Sequence, residues 1–320
     1  MLIKIGRRIK KMKFTLKKTI WSVVILTIMF ITLVGCTTKS IQQPTGNDDK
    51  LSLVATFFPL QDLTKSVVGN KGAVSAIVPP NTEPHDYEAT PSDVQKLNTA
   101  DAFITMGVEF AAFEDNLITS AGPYLKIIPA GKGVSQLAAS DEEQQSQFAG
   151  KDPHIWLSPK NAKVMVKNIM DGLVSLDAKN SQEYINNANK IMQDLDTLDT
   201  EFKIELSQCQ KHVVLVNHNA FSYLGGDYGF KTIYISGLDP EAEPTPGQIK
   251  ALVDQARQYD LKYVLYEDLV DPRVANTIAH EVGAQTMKLD PLEGSSNPSD
   301  TYFTLMRKNL NTLKIALECK

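Results

Sequence analysis

Short β-rich apolar runs alternate with helical stretches along most of this chain, and that alternation restricts its fold more than any other feature. The runs are Leu51 to Phe57, Val74 to Val78, Ala102 to Met106 and Leu125 to Ile128 in the first half. Val213 to Val216, Thr232 to Ile235, Tyr263 to Tyr266 and Gln285 to Leu289 follow in the second. Strand–helix alternation predicts mainly parallel sheets with helices packed on their faces. Thr90-Pro91, Ser158-Pro159, Thr245-Pro246 and Asp271-Pro272 read as N-cap and N1 pairs that open helices, because proline at N1 lacks only a donor the helix cannot use. In the helix from Ser158, Ala162, Met165, Val166, Ile169, Met170 and Leu173 keep the 3.6-residue period. A longer pattern starts near Ser181 with Tyr184, Ala188, Ile191, Leu195, Leu198, Phe202 and Leu206 on one face. It lacks Gly and Pro to about Gln210 and so extends about 40 Å. Its pattern suits a rigid connector between two α/β lobes or an ordinary peripheral helix equally well. The last helix is expected from about Ser299 to Glu318.

The N-terminal segment has a different character. Residues up to Lys18 are rich in Lys and Arg, and Ile20 to Val34 is apolar but short for a bilayer span. Leu33-Val34-Gly35-Cys36 resembles the lipobox of bacterial lipoproteins. The resemblance implies a signal peptide over 1–35, lipidation of Cys36 and a polar tether over 36–50; Met12 is an alternative start. The expected layout beyond is an α/β lobe over 51–180, a linking helix over 181–210 and a second α/β lobe over 211–320. The net charge of −4 includes the basic leader, so the remainder is more acidic, and no basic stripe for nucleic acid is present. Cys209 and Cys319 do not make a disulfide framework, and the sequence leaves their pairing open.

Three polar turns carry the chemistry: Glu83-Pro84-His85-Asp86, Asp152-Pro153-His154 and Asn217-His218-Asn219. They hold three of the five histidines. In open α/β sheets ligands bind beyond the carboxyl ends of the strands. His218 follows the strand ending at Val216, Glu267 follows Tyr266, and Asp290 and Glu293 follow Leu289. A cleft between lobes would unite these with His85 and His154, and three imidazoles with one carboxylate suit Zn(II). Glu267 is either a ligand or a structural hydrogen-bond acceptor. His212 precedes its strand and His280 lies mid-helix, so both read as surface residues, while Trp156 and Tyr87 read as packing around the site.

These motifs, with Thr90-Pro91-Ser92-Asp93, Ile155-Trp156-Leu157-Ser158-Pro159 and Pro291-Leu292-Glu293-Gly294, make the chain resemble the zinc- and manganese-binding receptors of bacterial ABC uptake systems. The resemblance implies two lobes joined by a long backbone helix, with metal held between them and delivered to an ABC permease. It also implies a monomer that is not an enzyme, lipid-anchored at the outer face of the cell membrane, or on the periplasmic side where two membranes exist. His at the third position resembles zinc receptors, whereas manganese receptors usually carry a carboxylate there. The implied ligands are His85, His154, His218 and Glu293, with Asp290 the alternative fourth. Residues 140–151 lack the histidine-rich loop of many zinc receptors, so accessory capture there is not expected. Competing readings are a manganese or ferrous-iron receptor, a zinc hydrolase and a surface adhesin. No HExxH pattern supports the hydrolase, and no repeat supports the adhesin.

Overall fold

The computed structural model describes residues 50–320 except 109, 140–149, 241 and 296. The signal peptide, Cys36, the tether up to residue 49 and most of the acidic loop lie outside the described residues.

The described chain forms two four-stranded, wholly parallel sheets flanked by helices. In the first, β1 (Leu51–Ala55), β2 (Gly72–Ala76), β3 (Ala102–Thr105) and β4 (Lys126–Pro129) stand in the order β2-β1-β3-β4. In the second, β5 (Val213–His218), β6 (Lys231–Ser236), β7 (Tyr263–Tyr266) and β8 (Gln285–Lys288) repeat that order as β6-β5-β7-β8. Leu53 pairs with Val74 on one side and Ala102 on the other; Leu215 pairs with Ile233 and Val264. Strand order thus reverses beside β1 and beside β5, which opens a crevice at the carboxyl end of each sheet.

Helices α1 (Phe58–Val68), α2 (Pro91–Asn98), α3 (Ala112–Ser120) and α4 (Pro159–Leu176) accompany the first sheet, and α6 (Ser222–Tyr228), α7 (Pro246–Gln258), α8 (Arg273–Val282) and α9 (Tyr302–Ala316) follow β5. Between them runs α5 (Ser181–Glu205), 25 residues long and so about 37 Å. It packs on α1 and α4 of the first half and on α9 of the second. Its buried stripe is Tyr184, Ala188, Ile191, Leu195, Leu198 and Phe202, as the periodicity predicts.

Some boundaries differ for local reasons. Helix α5 stops at Glu205, where the Ser207 hydroxyl donates to the Ile204 carbonyl and the chain turns toward Cys209. Cys209 forms a disulfide with Cys319, resolving what the sequence left open. In α8 Pro272 is the N-cap, not N1, because the Asp271 carboxylate accepts from Arg273 N and Nε instead of capping deeper into the helix. Helix α9 begins at Tyr302, since Asn297, Ser299 and Asp300 bond one another in a polar turn and Thr301–Thr304 makes the capping box. No helix among the described residues is long and apolar enough to cross a membrane.

Candidate metal centre

His218 is the last residue of β5 and Glu267 directly follows β7, so both flank the crevice of the second sheet. His218 Nδ1 lies 2.6 Å from Glu267 Oε1, which also accepts from the Asn217 amide at 3.2 Å. A carboxylate cannot donate, so the proton is assigned to Nδ1 and the Nε2 lone pair of the neutral ring faces the cleft. Glu267 is therefore an orienting acceptor rather than a member of the inner cluster.

His154 repeats this arrangement by another route. Its turn folds back so that Asp152 Oδ1 accepts from His154 N at 2.9 Å and from Nδ1 at 2.8 Å. Nothing in the sequence motif assigned Asp152 that role; its two-residue offset from histidine was the available signal. The following 3₁₀ turn, Ile155–Leu157, sinks into the apolar core, with Trp156 edge-on to Phe57 and Phe110. His85 comes from the loop after β2. Its backbone N–H donates to Glu83 Oε1 at 3.1 Å, and its ring lies 5.1 Å from that of Phe110. Tyr87 faces elsewhere, donating to Asp93 at 2.7 Å.

Glu293 is delivered by a strained turn. Asp290 Oδ1 accepts from Leu292 N at 2.8 Å, and Leu292 is held at φ +62°, a region a branched side chain rarely enters. The Asp290 carboxylate also pairs with Lys288 at 3.1 Å and lies outside the cluster. That turn is bonded across the cleft, for the Trp156 indole donates to the Pro291 carbonyl at 2.7 Å.

The four groups converge tightly. His154 Nε2 is 3.2 Å from both His85 Nε2 and His218 Nε2. Glu293 Oε1 is 3.5 Å from His85 Nε2 and 3.6 Å from the Nε2 atoms of His154 and His218. Four donors about 2.0–2.1 Å from a tetrahedral centre are separated by about 3.3–3.4 Å. These five distances bracket that value, and all four ligand atoms lie within 4.8 Å of one another. Every side chain of the cluster is buried, and among the described residues nothing hydrogen-bonds either Glu293 oxygen. A buried carboxylate facing three imidazoles is suited to pairing with a cation.

The electrostatics agree. Burial disfavours the charged form of His218, yet Glu267 and Glu293 carry its pKa well above the ordinary value. Burial likewise opposes charge on His154, but Asp152 and Glu293 raise it. For His85 burial prevails and the pKa is lowered. Glu293 is buried too, but His218 and the other imidazoles hold it well below the usual carboxylate range. Glu83, which sequence reasoning did not single out, is pushed up to about 9 by burial and then by Glu293. His212 and His280 are exposed and do not belong to the cluster, as their positions imply.

Fold and site together define a two-lobed α/β binding protein with a preformed three-histidine, one-carboxylate cluster able to hold a metal ion. The chain belongs to the family described as zinc-uptake complex component A, periplasmic, whose model matches residues 53–316. It is 32% identical over 314 residues to the high-affinity zinc uptake system protein ZnuA of Bacillus subtilis (strain 168), covering 94% of this chain and 98% of that one. It is 30% identical to the zinc-binding lipoprotein AdcA of Streptococcus pneumoniae (strain ATCC BAA-255 / R6), matching 92% of this chain but spanning only 60% of AdcA. The crystal structure of Zn(II)-bound AdcA from Streptococcus pneumoniae aligns over 84% of this chain and 58% of that one, with TM-score 0.73 and 32% identity.

Proposed function

We propose that this protein is the extracytoplasmic zinc receptor of an ABC uptake system, capturing Zn(II) and handing it to a membrane permease. His85, His154, His218 and Glu293 are the ligands, with Asp152 and Glu267 orienting two of the imidazoles. The observation that carries this reading is the set of donor separations, 3.2 to 3.6 Å, which suits a four-coordinate ion of zinc's size. Three nitrogens favour zinc over manganese, which prefers oxygen-rich sites and binds more weakly in the Irving–Williams order. The lipobox-like Leu33-Val34-Gly35-Cys36 and helix α5 between the two sheets support it, as do the names of the relatives. Lipidation would hold the receptor at the outer face of the cell membrane beside its permease.

The same donor set argues against a zinc hydrolase. Catalytic zinc keeps an open position for water, whereas here a fourth, buried protein ligand closes the tetrahedron. The receptor reading is tested by metal content and zinc–manganese competition on the soluble form beginning after Cys36. One zinc per chain, undisplaced by excess manganese, is the expected result. No stoichiometric zinc, or a preference for manganese, overturns it.

A further inference from the structure

The short helix α6 follows the His218 turn and carries Tyr223 and Asp227, four residues apart on one face. Both reach across to the segment that holds His154. The Tyr223 hydroxyl donates to the Asp152 carbonyl at 2.7 Å and accepts from Leu137 N at 2.9 Å. Asp227 accepts from the Ser158 hydroxyl at 2.5 Å and from Lys160 Nζ at 2.7 Å. One contact lies two residues before His154, and the other lies four and six residues after it. Ile155, Trp156 and Leu157, between them, are buried in a core to which residues of both halves contribute, so the segment is held by packing between its two α6 contacts.

We propose that Tyr223 and Asp227 are positioning residues that keep His154 in register with His218. The proposal rests on the zinc-receptor reading of the same cluster. Neither residue touches the cluster itself; each acts through the backbone or cap of the His154 segment. The 3.2 Å separation of the two Nε2 atoms is then a property of α6, which fixes one histidine's strand to the other histidine's turn. The hydrogen bonds of Tyr223 and Asp227 fall on Leu137, Asp152, Ser158 and Lys160, so the coupling is assigned to His154.

A double-mutant cycle tests it, with zinc affinity read by chelator competition on the soluble form. Tyr223→Phe and Asp227→Ala, made separately, are each expected to weaken zinc binding by about 10-fold, the lower end of outer-shell effects. The loss should persist in a His85→Ala background and vanish in a His154→Ala background, because the clamp then has nothing to position. Cobalt(II) bound to either variant should show visible bands displaced toward those of His154→Ala. An equal loss in the His154→Ala background, or none in the wild type, overturns the clamp. Because the two substitutions touch opposite ends of the segment, failure of one to fold leaves the other decisive. Wild type that binds no zinc overturns the receptor reading and the clamp together; wild type that binds zinc with both variants unchanged overturns the clamp alone.

Discussion

The Nε2 atoms of His154 and His218 face one another at 3.2 Å while the Nδ1 of each ring is bonded to its own carboxylate, Asp152 or Glu267. In their neutral forms both rings therefore point lone pairs at the same small volume, with Glu293 closing it from a third side. Such an arrangement is stable only around positive charge, either protons on the imidazoles or a metal ion.

Protons and zinc must then compete. The carboxylates raise His218 well above, and His154 above, the ordinary imidazole pKa, so the metal-free cluster holds protons near neutrality that zinc displaces. A raised ligand pKa means affinity falls as pH falls. We expect a loss of about tenfold or more per pH unit below neutrality, one factor of ten for each proton released. Competition titrations between pH 5.5 and 7.5 measure this slope, and a flat profile contradicts it.

Replacing Glu267 by Gln should weaken zinc binding by about 10–100-fold, although Glu267 does not belong to the inner cluster. The amide neither supports the imidazolium nor fixes the Nδ1–H tautomer. An unchanged zinc affinity would show that the 2.6 Å contact to His218 is incidental.

The proposed fourth ligand, Glu293, can be separated from its neighbour Asp290 by substitution. Glu293→Gln removes the charge that faces three imidazoles and should lower zinc affinity by more than about 100-fold, beyond the range of outer-shell partners. Asp290→Asn, which touches Leu292 N and Lys288, should cost less than about tenfold. The reverse ranking would transfer the ligand role to Asp290.

At the crevice of the first sheet, burial pushes the Glu114 carboxyl up to about 7, despite bonds from Thr56 and from Met106 N at 2.8 Å. The native state thus binds a proton more tightly than the unfolded chain does. Stability attributable to this group falls as pH rises from about 4.5 to 7 and stays flat above. The native-state penalty amounts to about 3 kcal/mol at most. Denaturant unfolding of Glu114→Gln beside wild type at pH 5 and pH 8 is expected to show a smaller pH-dependent loss in the variant. Equal losses would contradict the assignment.

The Cys209–Cys319 disulfide closes a loop of 110 residues and fastens the end of α9 near the end of α5. The chain-entropy estimate for so long a loop is about 4.7 kcal/mol, an upper figure. Cys209→Ser with Cys319→Ser should lower the melting temperature markedly while leaving zinc stoichiometry at one per chain, since the bridge lies outside the cluster. An unchanged melting temperature would refute the structural role.

Much of this was legible in the residues alone. The period-3.6 stripe of α5, the Thr90-Pro91 and Thr245-Pro246 caps and the alternating β runs follow from local sterics and hydrogen bonding, which neighbouring residues largely determine. Strand-end position likewise marked His218, Glu267, Asp290 and Glu293 as candidates and the polar turns marked His85 and His154, because imidazole and carboxylate chemistry does not depend on the rest of the fold. The preference for Glu293 came from the family resemblance. Other features rest on contacts between residues far apart in the chain. The pairing of Cys209 with Cys319 spans 110 residues, Trp156 meets Pro291 across 135, and Asp152 meets Tyr223 across 71. The orientation of Glu293 ahead of Asp290 depends on an Asx turn that forces Leu292 to φ +62°, a strain only the surrounding packing can hold. Sequence determined which groups were available and which elements would carry them. The packing of two sheets about a shared seam decided their separations, and with them the size and charge of the ion they can hold.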